Sequence, residues 1–342
     1  MARRVKSGIT IVDIARKLRL SAMTISRALT GSHEVSSATR ERVLRMARQM
    51  NYQPNRWARS LVTRRSSMIG VVIPDISHAF FAEITTGIEE TVEKAGYDLL
   101  LCHSRGDPAR ERAEIQMLVG SNVDGLIVAS VQPESSPAAF VELRSREVPF
   151  VLIDRFFAGQ KFRAVRVDDL AVGRLATEHL IALGHRRIAH VAGPALSPAT
   201  LRRKGYLQAM RAHGLGVQKD WIVAGDFGIE SGRHAMHQFL QLYPRPTAVF
   251  AANDPMAIGV LYACRDAGLQ VPADLSVVGA GNIEGTHHPN PFLTTVDWPR
   301  VELGHVAAEL LLDEIQHPKE ARTEMRIFPP RLLARQSTVV PR

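Results

Sequence analysis

Short apolar runs alternate with amphipathic segments from residue 66 to the end of the 342-residue chain, and few folds accommodate such a pattern. Runs such as 68–73, 125–130 and 248–251 are largely apolar at successive positions. Continuous apolar runs are typical of strands in parallel sheets that helices cover on both faces. Strands of this kind that alternate with helices predict an α/β body of two doubly wound parallel-sheet lobes.

Basic residues are concentrated before this pattern begins. Residues 1–65 contain 15 of the 43 Lys and Arg residues but 3 of the 34 Asp and Glu residues, whereas the remainder of the chain contains 28 basic and 31 acidic residues. A basic segment of this density indicates a polyanionic partner, and DNA, RNA and a membrane surface are all compatible with it at this point. The alternative is a solvated, Arg-rich surface.

The basic segment has the pattern of three short helices. Thr10 and Ser21 are the predicted N-caps of the first two, and Ser36 or Ser37 caps the third. Two short helices joined by a turn of three or four residues form a small all-α helix-turn-helix head, whose second helix enters the major groove with its N-terminal residues facing the bases. A plain three-helix bundle is the alternative. The predicted DNA contacts in these helices are Thr10, Ser21, Ala22, Met23, Thr24, Ser26, Arg27 and Thr30.

Several segments of this head resemble one protein family. Residues 11–15 (IVDIA), 21–27 (SAMTISR) and 51–55 (NYQPN), with 35–36 and 39–40, resemble the head of the lac repressor/purine repressor (LacI/GalR) family almost continuously from residue 10 to 61. The resemblance implies a sequence-specific DNA-binding transcriptional regulator that responds to a small-molecule effector.

The segment 54–61 resembles the hinge helix of that family, which folds on operator DNA and enters the minor groove. The resemblance implies that Leu61 wedges between the central base pairs and that Asn55, Ala58 and Arg59 contact the DNA beside it. Unstacking a base step costs a few kcal/mol, which additional contacts on the bent DNA offset. Because so short a helix is marginal in water, DNA and a partner hinge would stabilise it. The alternative is that Leu61 is a linker residue that packs on the body.

The rest of the chain resembles the family's periplasmic-binding-protein-like body. The matching segments include 73–75 (IPD), 123–127 (VDGLI), 183–188 (LGHRRI) and 253–259 (NDPMAIG). The resemblance implies that the chain crosses between the lobes three times, near 165, 297 and 330. It also implies a ligand cleft at the carboxyl ends of the strands.

The predicted organisation has three parts. Residues 1–53 form the helix-turn-helix domain, 54–65 form the hinge helix and linker, and 66–342 form the effector-binding and dimerisation domain. In that last domain, the first lobe comprises about 66–164 plus 297–329. The second lobe comprises about 165–296 plus 330–342.

Matching positions to the family also gives candidate effector contacts. Aromatic side chains stack on a ring, a carboxylate accepts hydrogen bonds from hydroxyl groups, and an arginine binds a carboxylate or vicinal hydroxyls. As alternatives, Phe80 and Phe81 are core residues of their helix, and Asp254 caps the helix that follows it. The predicted effector contacts are Phe80, Phe81, Asp154, Arg202, Phe227, Asn253, Asp254 and Asn282.

One segment departs from the family pattern. Relatives carry an aromatic residue and then a ligand-binding aspartate where this chain has Ala280, Gly281 and Asn282. The missing carboxylate removes an acceptor for sugar hydroxyls or purine N–H groups. Either Asn282 substitutes for it, or the effector differs and is more anionic, as a sugar acid or a sugar phosphate would be.

Motifs for catalysis are not found. Residues 279–285 resemble a dinucleotide-binding loop, but Glu284 stands at the third glycine position. The histidines are not at zinc-ligand spacings, and the sequence has no nucleophile elbow and no P-loop. The sequence therefore predicts no enzyme, no cofactor and no metal site.

Two further patterns concern location and assembly. The basic N-terminus is not followed by a signal-peptide apolar region, and Cys102 and Cys264 lie in apolar runs, so we expect a cytoplasmic protein with buried, reduced thiols. No leucine heptads occur near residue 342, which predicts a homodimer rather than a tetramer tied by a coiled coil.

The sequence thus predicts a homodimeric regulator, in the first place a repressor. Its predicted partners are palindromic operator DNA and a sugar, sugar acid or related metabolite, with no membrane partner. Two alternatives are a cytosolic sugar-binding or chemosensory protein with an incidental basic head and a nucleoid-type protein that bends DNA without an effector.

Overall fold

The computed structural model describes residues 9–29, 33–52, 65–133, 135–283, 292–318 and 323–341. The chain divides into two compact units, Met1–Ser66 and Ser67–Arg342, which are termed the head and the body. Five predicted DNA-binding positions lie outside the described residues, namely Thr30, Asn55, Ala58, Arg59 and Leu61.

The described part of the head contains three helices. Their bounds are α1 (Ile11–Leu18), α2 (Ala22–Leu29) and α3 (Ser37–Gln49). Ile14, Ile25 and Val43 are fully buried and contribute one core residue from each helix. This small core holds the three helices together.

A left-handed residue makes the turn between α1 and α2. Arg19 has a φ of 54°, which ends α1, and the Leu20 N–H donates to the carbonyl oxygen of Ala15 at 3.0 Å. Because α1 ends at Leu18 and α2 begins at Ala22, the turn has the length that a helix-turn-helix requires.

The body contains two six-stranded sheets. Their strands are β1 (Met68–Ile73), β2 (Asp98–His103), β3 (Gly125–Val128), β4 (Phe150–Ile153), β5 (Ala164–Val167), β6 (Ile188–Ala192), β7 (Ile222–Ala224), β8 (Ala248–Ala251), β9 (Ser276–Ala280), β10 (Thr294–Asp297), β11 (Met325–Phe328) and β12 (Arg331–Leu333). The strand orders are β11-β5-β4-β3-β1-β2 and β12-β10-β9-β8-β6-β7. β12 runs antiparallel to β10, and the other pairings are parallel.

Helices cover both sheets. They are α4 (Ala79–Lys94), α5 (Pro108–Gly120), α6 (Ala138–Ser145), α7 (Asp169–Ala182), α8 (Ser197–Ala212), α9 (Ile229–Leu240), α10 (Asp254–Asp266) and α11 (Arg300–Gln316). One apolar core contains Ile84 and Leu311 from the first lobe and Val172 and Tyr206 from the second, so the two lobes share buried surface. In the part of the chain that the structure describes, no helix is long and apolar enough to cross a bilayer.

The first crossing between the lobes differs from the prediction. β5 pairs with β4 and with β11 in the first sheet, so the first lobe extends through Val167, three residues beyond the predicted boundary at about 164. The chain crosses again after β10 and between β11 and β12.

Three elements and one thiol were not predicted correctly. α6, β11 and β12 are additional to the predicted elements, and β11 lacks an apolar run because it is an edge strand with exposed Met325 and Ile327. Cys264 is buried as predicted, but Cys102 is only half-buried, because β2 forms the opposite edge of the same sheet.

Two glycines bring α7 and α8 into backbone contact. A Cβ atom on Gly173 would lie 1.9 Å from the carbonyl oxygen of Arg202, and a Cβ atom on Gly205 would lie 2.2 Å from that of Leu170. No side chain fits at either position without moving one of the helices. The crossing therefore places the start of α7 beside the turn of α8 that carries Arg202.

Candidate DNA-reading helix and effector cleft

The first functional element is the N-terminal end of α2. Ser21 Oγ accepts a hydrogen bond from the Thr24 backbone N–H at 3.0 Å, and the two hydroxyl oxygens lie 2.8 Å apart. Ser21 therefore caps the helix, as the sequence predicts, and satisfies one of the N–H groups that lack a partner in the first turn. The cap fixes where the predicted DNA-reading residues begin.

The outer face of α2 is open to solvent. Met23 is 63% exposed, whereas Ile25, two residues further, is fully buried in the head core. Ala22, Thr24 and Ser26 are half-buried. An apolar side chain this exposed at the start of a capped helix is suitably placed to contact base edges in a groove.

Thr10 and Arg27 make contacts within the head. The Asp13 carboxylate accepts hydrogen bonds from the backbone N–H and the hydroxyl group of Thr10 at 2.9 and 2.8 Å, and these bonds lower the pKa of Asp13. Arg27 pairs with Glu34 at 2.7 Å, but both side chains are exposed, so the pair contributes little to stability. DNA contact by either residue stays a prediction.

The second functional element lies where the lobes of the body face each other. Asp154 follows β4, and Phe80 and Phe81 begin α4 in the first lobe, while Arg202 on α8 and Asn253 after β8 belong to the second lobe. Carboxyl ends of parallel strands meet at one edge of a sheet, which is where such folds bind ligands.

Three buried aromatic rings pack against one another at the junction of the lobes. The ring centroids of Phe80 and Phe81 are 4.9 Å apart, and that of Trp298 lies 6.1 Å from Phe80, in edge-to-face geometry. All three side chains are buried. Trp298 was not predicted, although its position immediately after β10, at a crossing between the lobes, is a signal that could have found it.

Arg202 is held by a carboxylate that was also not predicted. Its Nε donates to Oδ1 of Asp169 at 2.9 Å, its Nη2 lies 2.8 Å from the same oxygen, and its Nη1 donates to the carbonyl oxygen of Ala252 at 2.7 Å. The guanidinium carbon lies 5.0 Å from the centre of the Trp298 ring, a cation–π geometry. Both members of the ion pair are buried.

A second buried ion pair lies beside the first. Asp154 and Arg155 approach to 3.5 Å, and Arg155 Nη1 donates to the carbonyl oxygen of Ser130 at 2.5 Å. Burial raises the pKa of Asp154, which Arg155 and Arg202 partly counteract. The cleft therefore holds two arginines, each next to its own carboxylate.

Comparisons with known proteins identify the family. Residues 10–55 match the model described as bacterial regulatory proteins, lacI family, and residues 177–338 match a periplasmic binding protein-like domain. The chain is 37% identical over 316 residues to the HTH-type transcriptional repressor CytR of Escherichia coli K12, and the match covers 92% of each protein. The chain belongs to the LacI family of bacterial transcriptional regulators.

Two other LacI-family proteins extend the comparison. The Ribose operon repressor of Escherichia coli K12 is 35% identical over 321 residues, which cover 94% of this chain and 97% of that protein. A crystal structure of the lac repressor dimer bound to operator and the anti-inducer ONPF has a TM-score of 0.86 and 28% identity, covering 97% of this chain and 100% of that one. The predicted family, fold class and non-enzymatic regulatory role are confirmed.

In this LacI-family body, Asn253 has a structural role. Its Oδ1 accepts from the Met256 N–H at 3.1 Å and caps α10, and its Nδ2 donates to the carbonyl oxygen of Phe227 at 2.9 Å. Phe227 itself has a φ of 73°, and its half-buried ring lies against Gly193. The side chain of Asn253 thus fixes the loop that presents Phe227.

This role leads to a prediction for the ligand-free protein. Asn253→Ala removes the helix cap and leaves the Phe227 carbonyl group without its donor, so we expect the free energy of unfolding to fall by about 1–2 kcal/mol. Urea denaturation without effector measures it. An unchanged midpoint would show that these two hydrogen bonds contribute nothing to the stability of the ligand-free protein.

Asp254 and Asn282 also bond within the second lobe. The Asp254 carboxylate accepts from the Thr295 hydroxyl at 2.7 Å and from the Ile283 N–H at 2.8 Å, so it anchors the β9 loop and does not cap α10. Asn282 Oδ1 accepts from Arg335 Nη2 at 2.6 Å. Because Arg335 occupies this oxygen, the structure gives little support to Asn282 as a substitute for the missing aspartate.

Backbone geometry disfavours a side chain at position 281. Gly281 has a φ of 124°, which side-chain-bearing residues rarely adopt. Its carbonyl oxygen accepts from Arg300 Nη1 at 2.5 Å, and Arg300 Nε donates to Glu83 on α4 at 2.9 Å. The bond from Arg300 to Gly281 therefore joins this loop of the second lobe to the first lobe.

A separate cavity of about 560 Å³ lies within the second lobe, between α8 and β7. Leu207, Val217 and Ile222 contribute to its apolar lining, and Arg203 and Lys219 line it as well. It is larger than the space of about 10 Å³ between Arg155 and Ser197 at the lobe junction. The three aromatic rings and both buried ion pairs lie away from this cavity, at the junction of the lobes.

Proposed function

We propose that this LacI-family protein is a cytoplasmic, homodimeric repressor that binds palindromic operator DNA and is controlled by a small molecule bound between its lobes. The observation that carries the proposal is that α2 is capped by Ser21 and exposes Met23 at its start. The head that contains α2 is followed by a body that matches a periplasmic binding protein-like domain. The similar lac repressor structure is a dimer bound to operator and an anti-inducer.

The proposed mechanism links the lobes to the DNA. Two-fold symmetry of the dimer places one head on each half of a palindrome, and residues 54–65 form the hinge that enters the minor groove. Effector binding changes contacts that join the lobes, such as the Arg300 Nη1 bond to the carbonyl oxygen of Gly281 and the Phe156 N–H bond to Ser197 Oγ at 3.2 Å. Typical allosteric coupling amounts to about 1–3 kcal/mol.

The charges in the cleft favour a neutral effector. Arg202 is paired with Asp169, and Arg155 lies beside Asp154, so with both carboxylates ionised neither guanidinium offers an uncompensated charge to an anion. The aromatic side chains of Phe80, Phe81 and Trp298 suit the apolar face of a ring. A sugar or sugar-bearing metabolite therefore fits better than the sugar acid or sugar phosphate suggested by the missing carboxylate.

Selection from a randomised duplex library tests the proposal. At ~150 mM salt, where non-specific phosphate contacts are weakened, we expect enrichment of a palindrome whose recovery changes with one member of a panel of sugars, sugar acids, sugar phosphates and purines. Steep salt dependence without an enriched sequence would instead indicate a DNA-bending architectural protein.

The wedge proposed for Leu61 is tested separately. Leu61→Ala removes the apolar group that would occupy the unstacked base step, so we expect operator affinity to fall by roughly tenfold or more while binding to random duplex changes little. Titration of both duplexes in the same buffer gives the two affinities. Equal losses on both would contradict a wedge at the operator centre.

A further inference from the structure

Asp169 has a buried oxygen without a partner at the junction of the lobes. Arg202 occupies Oδ1 of Asp169, whereas Oδ2 has no hydrogen-bond partner among the residues that the structure describes. Trp298 Nε1 is likewise buried without a partner there. Arg202 contacts both side chains, so this free acceptor and this free donor belong to one cluster.

Such groups are costly to bury. A carboxylate oxygen that has lost water and gained no donor disfavours the ionised form, and burial raises the pKa of Asp169 to about 7. Unpartnered polar atoms in a native interior call for an explanation, and a ligand that supplies the missing bond is one. The location supports this explanation, because Asp169 follows the first lobe crossing and Trp298 follows the second.

Resting on the function proposed above, we propose that Asp169 replaces the aspartate that this chain lacks at position 281. Its Oδ2 accepts hydrogen bonds from hydroxyl groups of the effector, and Trp298 Nε1 donates to the same molecule. The effector is a neutral hydroxylated ring, either a free sugar or the sugar of a nucleoside.

The charges around Asp169 give it a second role in selectivity. The charged groups that influence it are Arg202, Asp154 and Arg166, and the charge of Asp169 offsets that of its partner Arg202, so a phosphate or carboxylate ligand gains no uncompensated cation there. Asparagine at 169 has the same size and keeps an oxygen for Arg202, but it removes the negative charge. Arg202 then becomes an uncompensated cation, and the preference between neutral and anionic ligands should move toward the anion.

Isothermal titration calorimetry on the full chain tests both roles. The probes are D-ribose, D-glucose and uridine, and each is compared with its own monophosphate. The affinity of each probe is measured above pH 7 for the wild type and for the Asp169→Asn variant. For the neutral probe that binds, we expect the variant to lose at least about tenfold in affinity, as when a charged hydrogen bond is removed. We expect its preference for the phosphate over the neutral form to rise by a similar factor.

The neighbouring acid provides a matched control. Asp168 Oδ1 accepts from the Ala171 N–H at 3.1 Å and caps α7, a role that asparagine performs equally well, so Asp168→Asn should leave both affinities unchanged. Thermal unfolding of both variants shows whether the fold is intact. Because the preference for anions is predicted to increase, general damage to the protein cannot imitate the result.

Three outcomes would overturn the inference. They are a wild type that prefers the monophosphate, an Asp169→Asn variant that binds the neutral probe as the wild type does, and an absence of binding by every neutral probe. A different result concerns the proposed function alone. If a neutral probe binds through Asp169 but never changes operator binding, the cleft assignment stands and effector control of DNA binding fails.

Discussion

Met23→Glu is expected to abolish operator recognition and leave the fold intact. Met23 is 63% exposed at the start of α2, so a charged side chain there disturbs no core. On DNA, the glutamate carboxylate would enter the groove that the helix occupies. There it would be repelled by the negatively charged phosphates, and it would lose the water molecules that hydrate it in the free protein. We expect the affinity for operator DNA to fall by at least about 100-fold. This loss is a substantial part of the ratio between the affinities of such a protein for its operator and for non-specific DNA.

The measurement compares operator and random duplex at fixed salt, with circular dichroism to verify the helices. Val141→Glu is the matched control, because Val141 is 47% exposed on α6 of the body and the substitution makes the same change in net charge. If both variants lose affinity equally, the effect is one of overall charge. If Met23→Glu binds operator normally, α2 does not read the major groove as proposed.

The sequence was a good guide to elements that local rules specify. Ser21 illustrates this, because an N-cap bonds to a backbone group only two or three residues away. Most strands of the body were also visible, because a strand buried on both faces needs an unbroken apolar run. The edge strands β11 and β12 were not, since an edge exposes residues such as Ile327 that no longer follow the pattern.

The residues of the cleft that were not predicted are held there by contacts between segments that are distant in the sequence. Arg202 was predicted, but its partner Asp169 lies 33 residues earlier, and the pair forms only where α7 and α8 cross. Trp298 joins this cluster from the second lobe crossing. The Asp254 carboxylate anchors Ile283 and Thr295, which no local pattern indicates.

The second large effect is expected from a single methyl group at Gly173. A Cβ atom there would lie 1.9 Å from the carbonyl oxygen of Arg202, and that oxygen belongs to the backbone of α8, so no side-chain rotation relieves the clash. We expect Gly173→Ala to lower the free energy of unfolding by about 3 kcal/mol, the upper part of the usual range for overpacking. Separating α7 from α8 also moves Arg202 away from Asp169, so effector affinity should fall as well.

Gly120→Ala separates this steric effect from the general effect of replacing glycine in a helix. A Cβ atom on Gly120, at the end of α5, would meet no atom within 4 Å, so alanine there should stabilise the protein by about 0.5 kcal/mol through reduced chain entropy. Urea denaturation of both variants gives the two changes, which we expect to differ in sign. A Gly173→Ala protein as stable as the wild type would mean that α7 and α8 separate without loss of packing. In that case the contact of their backbones would not be what holds Asp169 against Arg202.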